Sequence, residues 1–257
     1  MRFSQTNGVC EAPQSQRFEM KYAISELEAE AVRDFIEPHV LPDCHAKEGA
    51  RYEVHTLYLD SPDLALYSSS ALGELNRFKL RVRSYEDHPE APLFFEVKRR
   101  ADRVILKQRA RVKRSAASRV LAGEDVGQDV LVSPTHDETV NLSRFRDYVE
   151  ALGAKPRVMV RYEREAYESV VEAGVRITID RRMACAAQRD YTPCAWSQDG
   201  RWRDLDGFAA ILELKFWDTF PAWLAQLVRR FDLIRDSIAK YVVCIRELER
   251  EGVSVAG

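Results

Sequence analysis

Residues 76–85 read NRFKLRVRSY. Phe78, Leu80 and Val82 alternate with Lys79, Arg81 and Arg83, the period of two that marks a strand with one apolar and one charged face. The apolar face belongs against a core. The cationic face has two possible destinations, bulk water or something anionic that the sheet encloses. A lone antiparallel strand ordinarily turns such a face to water. The strands that follow weigh against that. LFFEVKRR (93–100) puts Glu96, Lys98 and Arg100 on one face against Phe95 and Val97, and VILKQRARVK (104–113) groups Lys107, Arg109 and Arg111. Like charges opposite one another on adjacent strands repel, by on the order of 1–4 kcal/mol per close pair when partly desolvated. Rows of Lys and Arg on three successive strands therefore predict an anionic counterpart.

The same parity runs through the rest of the chain. RFEMKYAI (17–24) pairs Glu19 with Lys21, and RVMVRYEREAYES (157–169) pairs Arg161 with Glu163. VRITIDRRMAC (175–185) sets Arg176 and Asp180 against Ile177 and Ile179; AAILELKFW (209–217) sets Glu213 and Lys215 against Leu212, Leu214 and Phe216. YEVHTLYLDS (52–61) is a further strand. Between them lie helices. Ser25 and Glu28 form a capping box, followed by Leu27, Val32, Phe35 and Ile36 on one side until Pro38 ends the run. PDLALYSSSALG is a short helix, 115–153 is mostly helical with a stop at Gly153, and PAWLAQLVRRFDL and SIAKYVVCIREL are amphipathic. This is an α+β pattern built on an antiparallel meander. No repeat or linker divides it, which predicts a flexible tail over 1–16 and one domain over 17–250.

The amphipathic helices need an apolar surface to cover, and the apolar strand faces supply it. The sheet would then curl shut with its charge inside and the helices outside. Closing about eight strands leaves an interior wide enough for one slender ligand. An interior lined by roughly ten cations cannot be dry. It predicts a hydrated tunnel for a thin polyanion, and a phosphate chain fits that better than a nucleic acid, which asks for grooves and aromatic platforms.

Composition narrows the classes further. The 257 residues carry 39 Lys and Arg against 41 Asp and Glu, a net charge of −2. That balance lacks the basic excess of nucleic-acid binders; acids gather on the helices and bases on the strands. No apolar run approaches the ~18 residues of a membrane span, and the first residues hold no signal-peptide pattern, so a cytoplasmic protein is expected. Cys10, Cys44, Cys185, Cys194 and Cys244 are scattered without a C-x-x-C pair, and Cys44-His45 is the sole Cys/His neighbour pair. Neither a disulfide framework nor a zinc site is predicted. No Gly-rich phosphate loop is present, so side chains must hold any nucleotide.

RFEMKY, YLDS, FKLRVRSY, FEVKRR, VRYEREAY, VRITID, ILELKF and AKY occur in an order, over residues 17–245, that resembles the VTC domain, the polyphosphate polymerase module of the triphosphate tunnel metalloenzyme superfamily (CYTH-like). The resemblance implies a closed eight-stranded antiparallel tunnel and ATP-dependent growth of inorganic polyphosphate with a divalent metal, Mn2+ or Mg2+. It places Lys21, Arg81, Arg83, Lys98, Arg161 and Arg176 on phosphates, Glu213 on the metal, and Lys240 in the AKY motif, where Ala239 stands in place of the usual serine. Lys107 falls near a further tunnel lysine. Lys79, Arg109, Lys215 and Glu19 join the substrate-binding set through their shared faces, and Glu96 is a second carboxylate for metal or orientation. Coupling to transport would need a membrane-protein partner. Two rivals stand beside the polymerase. A tripolyphosphatase on the same fold is disfavoured because Arg17 replaces the first glutamate of the hydrolytic E-x-E-x-K motif, leaving Glu19 and Lys21. A non-catalytic polyphosphate sensor is the other.

Overall fold

The computed structural model describes residues 17–43, 51–86, 88–101, 104–189, 202–205, 207 and 209–256. The predicted tail over 1–16, the Cys44-His45 pair and Cys194 lie outside the described residues. Among the described residues the strands are β1 (Arg17–Ile24), β2 (Val40–Pro42), β3 (Arg51–Asp60), β4 (Asn76–Ser84), β5 (Leu93–Ala101), β6 (Val104–Val112), β7 (Lys155–Ser169), β8 (Arg176–Ala187), β9 (Arg203–Asp204) and β10 (Ala210–Trp217), of which the short β2 and β9 were not expected from the alternation. The helices are α1 (Glu26–Ile36), α2 (Ala65–Ala71), α3 (Ala117–Leu121), α4 (His136–Leu152), α5 (Ala222–Arg230) and α6 (Lys240–Arg250).

The capping box opens α1 as read: Ser25 N donates to Glu28 Oε2 at 2.7 Å and Glu28 N to Ser25 Oγ at 3.2 Å. Its buried stripe is Ala29, Val32 and Ile36; Leu27 is exposed. At 3.6 residues per turn Leu27 points away from that stripe, so the expectation that it shares a side with Val32 and Ile36 is corrected. Helix α4 stops at Gly153, whose φ of 55° is the left-handed conformation that a glycine adopts without a Cβ clash.

All strands join one antiparallel sheet in the order β1-β10-β8-β7-β3-β4-β5-β6, with β2 added to β7 and β9 to β8. The expectation of a closed eight-stranded barrel is corrected here. Among the described residues the sheet has ten strands, and its edges β1 and β6 do not pair with each other. Both edges are occupied instead. Asp236 N donates to Lys21 O at 2.9 Å, and Tyr22 bridges Arg235, so the segment before α6 covers β1. On β6, Lys113 N reaches Val130 O, Val132 N reaches Arg111 O, and Asn141 Nδ2 of α4 donates to Arg109 O. Where these contacts fall, the backbone groups of each edge are taken and are not available for closure.

The apolar faces go where the alternation placed them. Leu80, Val82, Phe95 and Val97 pack with α3 and α4 residues in one core; Ile177, Ile179, Leu212, Leu214 and Phe216 pack with α1 and α5 in another. The third core departs from the expectation that every helix lies outside. Tyr241, Cys244, Ile245 and Leu248 of α6 pack with Tyr58, Val158, Val160 and Tyr162. Those β7 residues share the face that carries Arg164, the polar inner face. Helix α6 therefore fills one part of the sheet's concave side. Buried Asp60 fastens it there, accepting from Tyr241 Oη at 2.6 Å and from the α2 backbone at Leu66 and Tyr67.

Candidate functional site

The concave side left open by α6 is a cavity of about 1470 Å3. Among the described residues, seventeen Lys and Arg line it against five Asp and Glu. With that excess in a partly enclosed volume, the site's preferred occupant is an anion.

Three elements supply the cationic rows by register. Lys79 sits opposite Lys98, which sits opposite Lys107; Arg81 sits opposite Glu96, which sits opposite Arg109. Glu96 is fully buried and answers two of them, with Arg81 Nε and Lys107 Nζ each 2.7 Å from its carboxylate. Burial alone would raise the Glu96 pKa, but Arg81, Arg83 and Lys107 hold it well below the usual carboxylate range. Glu19 reaches across the gap between the sheet's edges: Lys21 and Lys98 both lie 3.2 Å from it. Those two lysines likewise outweigh burial and keep it ionised.

A second cluster closes the far wall. Glu213 takes Lys215 at 2.5 Å, Lys240 at 3.2 Å and Lys21 at 3.3 Å. Asp180 takes Arg164 in a two-pronged contact of 2.6 and 2.7 Å and Lys240 at 2.6 Å. Despite burial, these partners lower the pKa of Glu213 and Asp180 and raise that of Lys240. Lys98 and Lys79 go the other way. Burial first, then Lys21 and Arg81, bring Lys98 down to about 8 against the pull of Glu19. Lys79, half-buried with its charge drawn out of water beside Lys21, Lys98 and Arg81, falls well below its ordinary value.

Of the residues singled out in the sequence, Lys21, Lys79, Arg81, Arg83, Lys98, Lys107, Arg109, Arg176, Lys215, Lys240, Glu19 and Glu213 all line the cavity. Arg176 is also paired to Asp43. Glu96 lies beneath the lining as a counter-ion. Arg161 is corrected: it is not among the lining residues, and its guanidinium stacks 4.4 Å over Trp202. Glu163, on the same face, pairs with exposed Arg182 at 2.9 Å. Strand β7 presents Tyr162 and Arg164 inward instead. Both of its faces mix polar and apolar residues, so alternation alone left the choice open. The cross-strand pairing of Arg164 with Asp180 was the signal that would have decided it. Arg51, Arg77 and Arg235 also line the cavity, from strand ends and a loop where alternation carries no information.

The residues offer a divalent cation little by themselves. Among the described residues no group of three or more His, Cys, Asp and Glu could hold a metal. A hard divalent ion also binds through one or two carboxylates completed by substrate phosphates. Glu213 and Glu19, both in contact with Lys21, fit that requirement once phosphate oxygens take over their lysines. Cys185 and Cys244 are buried free thiols on β8 and α6. Among the described residues, no helix is long and apolar enough to cross a membrane.

The sequence pattern of the VTC domain family matches residues 16–249. No curated protein matches. Among solved structures, a Pyrococcus horikoshii OT3 protein is similar at 16% identity and a TM-score of 0.46, covering 90% of this chain and 99% of that one. A Bacillus halodurans protein described as an adenylate cyclase candidate is similar at 14% identity and a TM-score of 0.48, covering 91% and 96%.

Proposed function

The chain belongs to the VTC domain family, and from that premise we propose that it is a polyphosphate polymerase-type phosphotransferase that moves the terminal phosphate of ATP onto a polyphosphate chain inside the basic cavity. The observation that carries this reading is the surplus of cations facing one another in register across β4, β5 and β6, buried or half-buried on β4 and β5 and more exposed on β6. Such rows repel unless a linear polyanion lies between them.

Phosphoryl transfer depends on positioning and charge neutralisation more than on covalent help. Arg81, Arg83 and Arg164 are held by fixed partners and present planar donors suited to phosphate oxygens. Lys21, Lys98, Lys107 and Lys240 add mobile ammonium groups along the same path. Together they align an oxygen of the chain's terminal phosphate with the γ-phosphorus. That oxygen forms the new P–O bond as the bond to the β-phosphate breaks and ADP leaves. The attacking oxygen is already ionised, so no general base is needed. Glu213 with Glu19 would hold Mn2+ or Mg2+, which when bound neutralises phosphate charge.

A second reading, a module that binds polyphosphate without turnover, is supported by Ala239 at the mouth of α6, where a serine hydroxyl is missing, and by the ion pairs that engage Glu19, Glu96 and Glu213. Incubation with ATP and Mn2+, followed by a gel stained for phosphate chains, separates the readings. Long chains support the polymerase. Orthophosphate alone means hydrolysis, and tight polyphosphate binding with neither product means a binding module.

A further inference from the structure

The polar inner face breaks its own pattern at one end. On β5 the face that carries Glu96, Lys98 and Arg100 begins with Phe94, and on β4 the run Lys79, Arg81, Arg83 continues to Tyr85. Tyr52 of β3 stands beside them. All three rings line the cavity half-buried. Tyr52 meets Tyr85 edge-on with centroids 6.1 Å apart, and Tyr85 meets Phe94 likewise at 5.2 Å. Tyr52 and Tyr85 pack at the margin of the third hydrophobic core, whereas Phe94 belongs to none of the three, so core packing does not explain a large apolar ring there. Cations sit over the rings: Arg109 lies 4.9 Å above Phe94 and Arg83 5.9 Å above Tyr85. The opposite end of the same strands differs, with Arg77 opposite Arg100 and Lys79 opposite Lys98.

We propose that Phe94, Tyr85 and Tyr52 form the nucleobase dock of the triphosphate donor, so that the nucleoside enters at this end and the phosphate chain lies toward Arg77 and Arg100. The inference rests on the reading of the cavity as a nucleotide and polyphosphate site and gives that site a direction. An aromatic face stacks on any base, and a ring with an arginine beside it suits a base followed by a phosphate. Stacking without a designed hydrogen-bond pattern discriminates weakly between bases, so ATP and GTP bind about equally.

Isothermal titration with ATP and, separately, inorganic tripolyphosphate tests this. Phe94→Leu, which keeps bulk and loses the π-face, is expected to weaken ATP binding roughly tenfold and to leave tripolyphosphate within about twofold. Phe94→Trp, which keeps the π-face, restores ATP binding. Photolabelling with 8-azido-ATP is expected to mark the peptide carrying Tyr85 or that carrying Phe94. Equal ATP affinity in wild type and Phe94→Leu, or label confined to the Arg77–Arg100 end, overturns the dock while tripolyphosphate binding keeps the cavity reading intact. Failure of wild type to bind tripolyphosphate overturns both.

Discussion

Lys98 gives the sharpest test of the cavity's electrostatics. Its ammonium lies 3.2 Å from Glu19 and in register between Lys79 and Lys107, and burial, with Lys21 and Arg81 adding to it, brings its pKa to about 8 from the ordinary 10.5. Between those values the unfolded chain holds a proton that the folded chain lacks. The stability of the ligand-free protein therefore rises with pH from 8 to 10.5 as this group titrates. Polyanion binding runs the other way. A phosphate beside Lys98 favours the ammonium, so binding takes up a proton above pH 8. If the complex returns the group to its ordinary 10.5, affinity for ATP falls roughly tenfold between pH 7 and pH 9, and about 0.9 proton is absorbed per molecule bound at pH 9. Titration calorimetry in buffers of different ionisation enthalpy measures the uptake directly. Lys98→Arg keeps a cation that does not titrate in this range, so it should flatten the slope, whereas titration of the ligand itself would survive in the variant. An affinity that is level from pH 7 to 9, or an equal slope in Lys98→Arg, refutes the reasoning.

The inner and outer arginines of β7 should separate cleanly: Arg164→Met is expected to weaken polyphosphate binding by roughly tenfold or more, while Arg161→Met stays within about twofold, both read by fluorescence competition. Glu96→Gln leaves buried Arg81 without its counter-charge and should cost about 3 kcal/mol of ligand-free stability by denaturant titration, part of which saturating tripolyphosphate recovers. Ala239→Ser supplies a hydroxyl at the start of α6, where no side chain now caps the helix, and should add about 1 kcal/mol as well as tighten triphosphate binding.

The strands were legible because period-two alternation survives wherever one face is apolar throughout, as in Phe78/Leu80/Val82 and Leu212/Leu214/Phe216. It failed on β7, where Val158 and Val160 share a face with Arg164, because α6 covers half of that inner face and leaves the other half to the cavity. A strand that faces a helix at one end and ligand at the other has no single polar side. The open edges were invisible for a related reason. Residues 130–132 and 235–236 satisfy β6 and β1 through backbone groups, which every residue type carries, so no side-chain pattern announces them. The counter-ions Glu19, Glu96 and Glu213 were visible as shared-face residues, but which cation each would meet depended on register and curvature.

Those counter-ions imply an order of binding. In the ligand-free protein Glu213 is held by three lysines, and any divalent ion approaching it alone must displace ammonium groups that are themselves buried or half-buried. Phosphate oxygens compete for the same ammonium donors; as Lys21, Lys215 and Lys240 turn to them, the carboxylate is released to a cation carried by the phosphates. Metal and triphosphate should therefore bind cooperatively, each strengthening the other by the same factor. Titration of the protein with Mn2+ alone is expected to give no site of millimolar affinity or better, and titration in the presence of a non-hydrolysable ATP analogue to give one that Glu213→Gln weakens. A tight Mn2+ site in the ligand-free protein, or one indifferent to Glu213→Gln, would mean that the lysines around Glu213 are not its occupants in solution.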